Sequence, residues 1–185
     1  EPLHLYGSQG LQRMVDLLLE MHGPDVELRQ ITRSLPRPAP NVIVHEISEG
    51  PILETPNGVK VSAFRVEHYP LDEPFGFRFD TKNKSIAFSG DTCPSENLIK
   101  HTHKVDVLVH ESTEYTKWDA PDVDHSHKVK THTHPEKLGF VAQDAEPGLL
   151  IATHLMPRSV PWELREMISE GYKGNLLIGE DLMTA

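Results

Sequence analysis

The 185 residues contain one cysteine, Cys93, so neither an intramolecular disulfide nor a cysteine-rich zinc cluster can form. No apolar run approaches membrane-spanning length, and the opening Glu-Pro-Leu-His-Leu-Tyr-Gly lacks a signal-peptide pattern. No membrane partner is expected, and the expected location is cytoplasmic. Cations are scarce: 18 Lys and Arg face 28 Asp and Glu, for a formal net charge of -10. That balance argues against a bulk electrostatic grip on nucleic acid, which is a disfavoured partner here, although a local basic patch would suffice for one. Also missing are a Gly-x-Ser-x-Gly elbow, a Gly-rich phosphate loop and a dinucleotide fingerprint. Trp118 and Trp162 lie far apart without flanking basic runs, so no stacking platform for single-stranded nucleic acid is expected.

Histidine is abundant instead, with 12 residues, several in His-x-His pairs: His101/His103, His125/His127 and His132/His134. Neutral imidazoles two residues apart on an extended segment can chelate one ion, so a metal site is the first chemistry to test. His101/His103 is expected in a solvated turn, and Asp124–His127 in a loop able to bind metal adventitiously. For His132-Thr-His-Pro-Glu136 a helix start is expected, with Thr133 as N-cap, Pro135 in the first turn and Glu136 complementing the helix dipole.

The pattern along the chain predicts a strand at 3–6, then a helix N-capped by Ser8 with Leu11, Met14, Val15, Leu18 and Leu19 on helical spacing, ending near His22-Gly23-Pro24. After a Pro-rich loop at 35–40, strands are expected at 42–47, 52–54, 59–66, 75–79 and 85–88, read as an antiparallel run. Asn57-Gly58 marks a hairpin within it. Beyond Asp91 helices and strands alternate: a helix at 95–100, a strand at 105–110, an aperiodic loop at 113–130, a helix at 135–145, a strand at 149–153, a helix at 162–169 and a strand at 176–178. The fold class is α/β and layered.

Four residues fall at expected strand ends: His68, Asp91, Glu111 and His154. Neighbouring strands of one sheet bring their ends to a common edge, where side chains are held rigidly enough for metal binding or catalysis. Taken singly, a histidine past a strand reads as a loop residue, Asp91 as a turn former, and Glu111 as a partner orienting a histidine.

Leu3-His-Leu-Tyr-Gly7, "RVEHYPLDEPFGFRF" at 65–79, "FSGDT" at 88–92, "DVLVHEST" at 106–113, "HTHPEKLG" at 132–139 and "LLIATHL" at 149–155, in this order, resemble the metallo-β-lactamase superfamily, within it the ribonuclease Z and arylsulfatase-like branch. The resemblance implies an αββα sandwich with His68 binding a first metal, Asp91 bridging two, and His154 binding the second. Glu111 and His132 are similar to the proton-transfer glutamate and histidine of that branch, with His134 a rival for the latter place. Two zincs per complete site are implied, with manganese or iron as alternatives.

The superfamily's His-x-His-x-Asp-His motif does not occur in these residues. Residues 1–185 are therefore expected to form one domain, a partial αββα sandwich incomplete at its N-terminus. The function expected is hydrolysis of a phosphodiester, sulfate ester or related ester by a metal-bound hydroxide, with Asp91, Glu111 and His132 as catalytic residues and a small ester favoured as substrate. An uncovered sheet would associate with the absent part or with further copies. The alternative is a non-catalytic or assembly-dependent module, and a lesser one a mononuclear site built from His125/His127 and His132/His134 with His68 or Asp91.

Overall fold

The computed structural model describes residues 2–33, 41–114 and 126–184. The chain divides into two compact units, Glu1–Ser48 and Glu49–Ala185. Among the described residues no helix is long and apolar enough to cross a membrane.

In the first unit, β1 (Leu3–Gly7) pairs in parallel with β2 (Val42–Glu46), and α1 (Leu11–Arg33) connects them. The strand at 42–47 thus lies outside the antiparallel run in which the pattern placed it. Two donors at the start of α1 go to β2: the Gly10 and Gln12 N–H groups both donate to Glu46 Oε1, at 2.7 and 3.2 Å. Helix α1 also passes through Gly23-Pro24, where a stop was expected. Proline removes one N–H and crowds the preceding turn, but the residues beyond it hold the helix. Gln30 is buried on the same face as Val15, and Arg29 pairs with Asp25 one turn back at 2.7 Å.

The second unit is built on a seven-stranded mixed sheet of order β3-β4-β5-β6-β7-β8-β9, comprising Gly50–Glu54, Lys60–Arg65, Phe75–Asp80, Ser85–Phe88, Val107–Glu111, Leu149–Thr153 and Leu176–Ile178. β3 to β6 are antiparallel and β6 to β9 parallel. The Asn57-Gly58 hairpin forms as expected, with Gly58 at φ 82°, a conformation glycine adopts without strain. α2 (Glu96–Thr102) starts at Ser95, whose side chain accepts from the Leu98 N–H. α3 (Ser126–Val129) is a single turn inside the stretch expected to be aperiodic. His125 and Trp118 lie outside the described residues.

Alternation along the parallel strands separates two faces. Ala87, Leu108, Leu150 and Ala152 are fully buried against Leu138, Ala142 and Ala145 of α4 (Pro135–Ala145) and Ile168 of α5 (Pro161–Gly171). The opposite face presents Ile86, Val107, Val109, Leu149 and Ile151, all half-buried. α4 and α5 cross at glycines: a Cβ on Gly139 would stand 2.4 Å from the Ile168 carbonyl oxygen, and one on Gly171 2.8 Å from the Gly139 carbonyl carbon. His101 differs from expectation. It is half-buried on α2, stacked on Phe64 at 5.4 Å, with Nδ1 2.9 Å from the Asn97 carbonyl.

Candidate metal centre

The alternation of strand directions brings the C-terminal ends of β4, β6, β7 and β8 to one edge of the sheet. His68 follows β4, Asp91 follows β6, Glu111 ends β7 and His154 follows β8, the convergence that the positions of these residues predicted. Short bonds bind the turns that carry them. The Cys93 N–H donates to the Glu67 carbonyl at 2.7 Å, and the Glu67 N–H to Thr92 Oγ1 at 3.0 Å, which clasps the His68 turn to the Asp91 turn.

Two groups of side chains present ligand atoms within 4.8 Å of one another: His68, Asp91 and His132, and Glu111, His132 and His154. His132 belongs to both. Its ring meets that of His68 edge-on at 5.3 Å and stacks on that of His154 at 5.2 Å. His154 Nε2 stands 3.8 Å from Asp91 Oδ2. His134 belongs to neither group; it occupies the N-cap position of α4, where Thr133 was expected.

Glu111 is the most enclosed member, at 2 % side-chain exposure. Its Oε1 accepts from the Thr92 and Thr133 N–H groups at 3.0 and 3.2 Å and meets His132 Nδ1 at 2.9 Å. Thr113 Oγ1 lies 3.3 Å from Oε2. Burial pushes the Glu111 carboxyl up to about 7, against the pull of the two threonine N–H groups and His154. His132 moves the other way: burial lowers it, which favours the neutral imidazole that a metal requires. With Nδ1 held by Glu111, Nε2 is the atom left to face the other ligands.

His154 is held in the same manner, with Thr113 Oγ1 2.9 Å from its Nδ1, and its backbone sits at φ 55°. A left-handed conformation is uncommon outside glycine and is sustained where the surroundings over-determine it. His68 Nδ1 is buried and has no hydrogen-bond partner among the described residues. An orphaned imidazole nitrogen is costly unless something fills its lone pair. Neutral imidazoles and a carboxylate are the donor set of zinc and of related divalent ions, and the residues present fit such an ion.

Thr92 and Thr113 carry no signal of their own in the sequence, and Thr133 stands out there only as an N-cap candidate. Thr92, Thr113 and Thr133 are buried and form the clamp that orients Glu111, His132 and His154. Thr133 Oγ1 also donates to the Thr92 carbonyl at 2.7 Å, tying the start of α4 to the Asp91 turn. The signal they share is position, each lying one or two residues from a ligand-like residue.

Residues 4–155 match the family described as beta-lactamase superfamily domain. A ribonuclease Z of Mycobacterium tuberculosis is 26% identical over 188 residues, covering 98% of this chain and 67% of that protein. The crystal structure of the short form of human tRNase Z superposes with a TM-score of 0.66 at 20% identity, over 99% of this chain and 66% of that one. A metallo-beta-lactamase fold protein from Bacillus subtilis gives 0.67 at 18% identity, over 97% of this chain and 63% of that one. The chain thus spans slightly less than two thirds of these solved structures, which share its mixed α/β fold.

Proposed function

The chain belongs to the beta-lactamase superfamily, and from that premise we propose that it serves as a metal-dependent phosphodiesterase acting on RNA. The observation that carries this reading is the convergence of His68, Asp91, Glu111, His132 and His154 into two ligand groups sharing His132. His68, Asp91 and His132 would hold one divalent cation, and His154, beside the second oxygen of Asp91, would help hold another. Bound cations would supply Lewis acidity and acidify a water molecule.

The chain's own residues supply the rest. Glu111 fixes the tautomer and orientation of His132 through Nδ1, and Thr113 does the same for His154. His132, neutral and partly exposed, accepts or returns a proton at Nε2 when it is not ligated. Burial is the main cause that lowers His132, and Lys128 adds to it against the pull of Asp91, so an ammonium group stands beside the site on an otherwise acidic chain. That local charge suits an anionic diester.

RNA is favoured over the small ester and over a sulfate ester because relatives 26% identical to this chain are named ribonuclease Z. Zinc is favoured by the imidazole-carboxylate donor set. The assembly-dependent reading retains one observation in its favour, the absence of a His-x-His-x-Asp-His motif from these 185 residues. We further infer that the chain associates with a second copy through α1.

Elemental analysis beside an RNA cleavage assay tests the proposal. The protein is expected to carry zinc and to cleave a single-stranded oligoribonucleotide, and Asp91→Ala to lose most of both. Metal content and cleavage that persist unchanged in Asp91→Ala would overturn the assignment, and absence of metal from the unaltered protein would favour the assembly-dependent module.

A further inference from the structure

One feature beside the metal centre has no part in holding it. Tyr69 and Leu71, on the turn that follows His68, are 61% and 60% exposed. Large apolar surface is ordinarily hidden, and here it stands next to a candidate ligand. The turn is fixed: the Leu71 N–H donates to the His68 carbonyl at 2.9 Å and the Tyr69 N–H to the Lys130 carbonyl at 3.1 Å. Lys130 also reaches back over the tyrosine, with Nζ 5.7 Å from the ring centroid, a cation–π contact.

The segment carrying Lys130 also carries His132. The His132 N–H donates to the Lys128 carbonyl at 2.8 Å, and the Lys130 N–H to the His127 carbonyl at 3.0 Å. His68 and His132, whose rings touch, therefore each continue into one half of the Tyr69–Lys130 pair. An exposed aromatic face and an ammonium group, fixed to each other at the rim of a site for phosphodiesters, match a nucleotide: the face takes a base and the ammonium an adjoining phosphate.

Building on the RNA-cleaving reading above, we propose that Tyr69 and Lys130 form a stacking subsite for a single nucleobase adjoining the cleaved phosphodiester. Stacking on a tyrosine face is tolerant of base identity, so the subsite contributes grip and register and selects single-stranded or unpaired nucleotides. Tyr69 is accordingly a positioning residue for substrate, outside the proton-transfer and metal-holding groups.

Steady-state cleavage of a short single-stranded oligoribonucleotide by the zinc-supplied protein, beside the same oligomer with an abasic residue next to the cleaved bond, tests this. Tyr69→Ala is expected to raise KM about tenfold with kcat within about twofold, and Tyr69→Phe, which keeps the ring, to stay near the unaltered protein. The abasic oligomer is expected to cost the unaltered protein a similar factor and Tyr69→Ala nothing more. Cleavage with equal KM by the unaltered protein and Tyr69→Ala, or two losses that multiply independently, would overturn the subsite while leaving the RNA reading intact. Failure of the unaltered protein to cleave either oligomer would remove the RNA reading, and the subsite with it.

Discussion

Glu111 is where burial, hydrogen bonding and chemistry meet most closely. Its Oε1 is shared among two backbone N–H groups and the His132 ring, which leaves little of it to offer a substrate, so its effect on the reaction passes through His132. Glu111→Gln keeps an acceptor for the Thr92 and Thr133 N–H groups and removes the charge facing His132. The expected result is a folded protein whose metal affinity or turnover falls roughly 10–100-fold, the usual cost of losing a carboxylate behind a histidine ligand. Metal titration and kcat measured on the same preparation check it, and values matching the unaltered protein would count against the orienting role. At this scale the sequence is informative about residues whose chemistry is unusual for their position. A histidine or carboxylate at a strand end stands out, and the four such residues meet at one edge together with His132, which precedes α4. The clamp role of Thr92, Thr113 and Thr133 does not stand out, since threonine is at home in strands, turns and helix caps and its role here depends on groups brought from distant segments.

Periodicity and turn chemistry place most elements of the second unit, because its strands alternate and its turns are short. α4, β8 and β9 match their expected spans, and Asn57-Gly58 sets the β3–β4 hairpin. The misses have local causes. Gly23-Pro24 has the form of a helix stop, and the burial of Gln30 that carries α1 past it is a tertiary fact. β2 has the pattern of any strand, and its parallel pairing with β1 requires the long α1 crossover to be recognised first. The contact between α4 and α5 makes a prediction of its own. Gly139 is an interior helix glycine, costly in propensity, and Gly171 is the last residue of α5; the value of both lies in letting the two backbones touch. Gly139→Ala places a methyl group 2.4 Å from a carbonyl oxygen that belongs to the backbone of α5 and cannot swing aside. Despite the gain in helix propensity, the variant is expected to lose about 1–3 kcal/mol in denaturant unfolding. No loss of stability would mean that the helices separate more easily than this packing implies.

For the molecule as a whole, the question is what meets α1 on its outer side. Val15 and Gln30 mark its buried face. Met14, Leu17, Met21, Leu28 and Ile31 are 55%, 53%, 65%, 58% and 67% exposed. With Pro24 they follow the spacing 3-4-3-4-3, which at 100° per residue is a continuous stripe about half a turn away from the buried face. Five large apolar side chains in a row on water are unfavourable, and the spacing is that of a seam between helices. A second copy is the occupant we propose for this stripe, because a stripe of uniform 3-4 spacing can be complementary to itself about a two-fold axis. Pairing two such stripes would remove on the order of 1,000 Å² from water, near the lower bound for a specific interface, so the dimer is expected to be concentration-dependent. Sedimentation equilibrium over the micromolar range should therefore show a mass moving from one toward two chains of 20.9 kDa as concentration rises. Met21→Glu, at the middle of the stripe and away from the buried face, should hold the protein at one chain with its helical circular dichroism unchanged. A mass of one chain throughout for the unaltered protein, or a dimer that survives Met21→Glu, would mean that the stripe has a different partner.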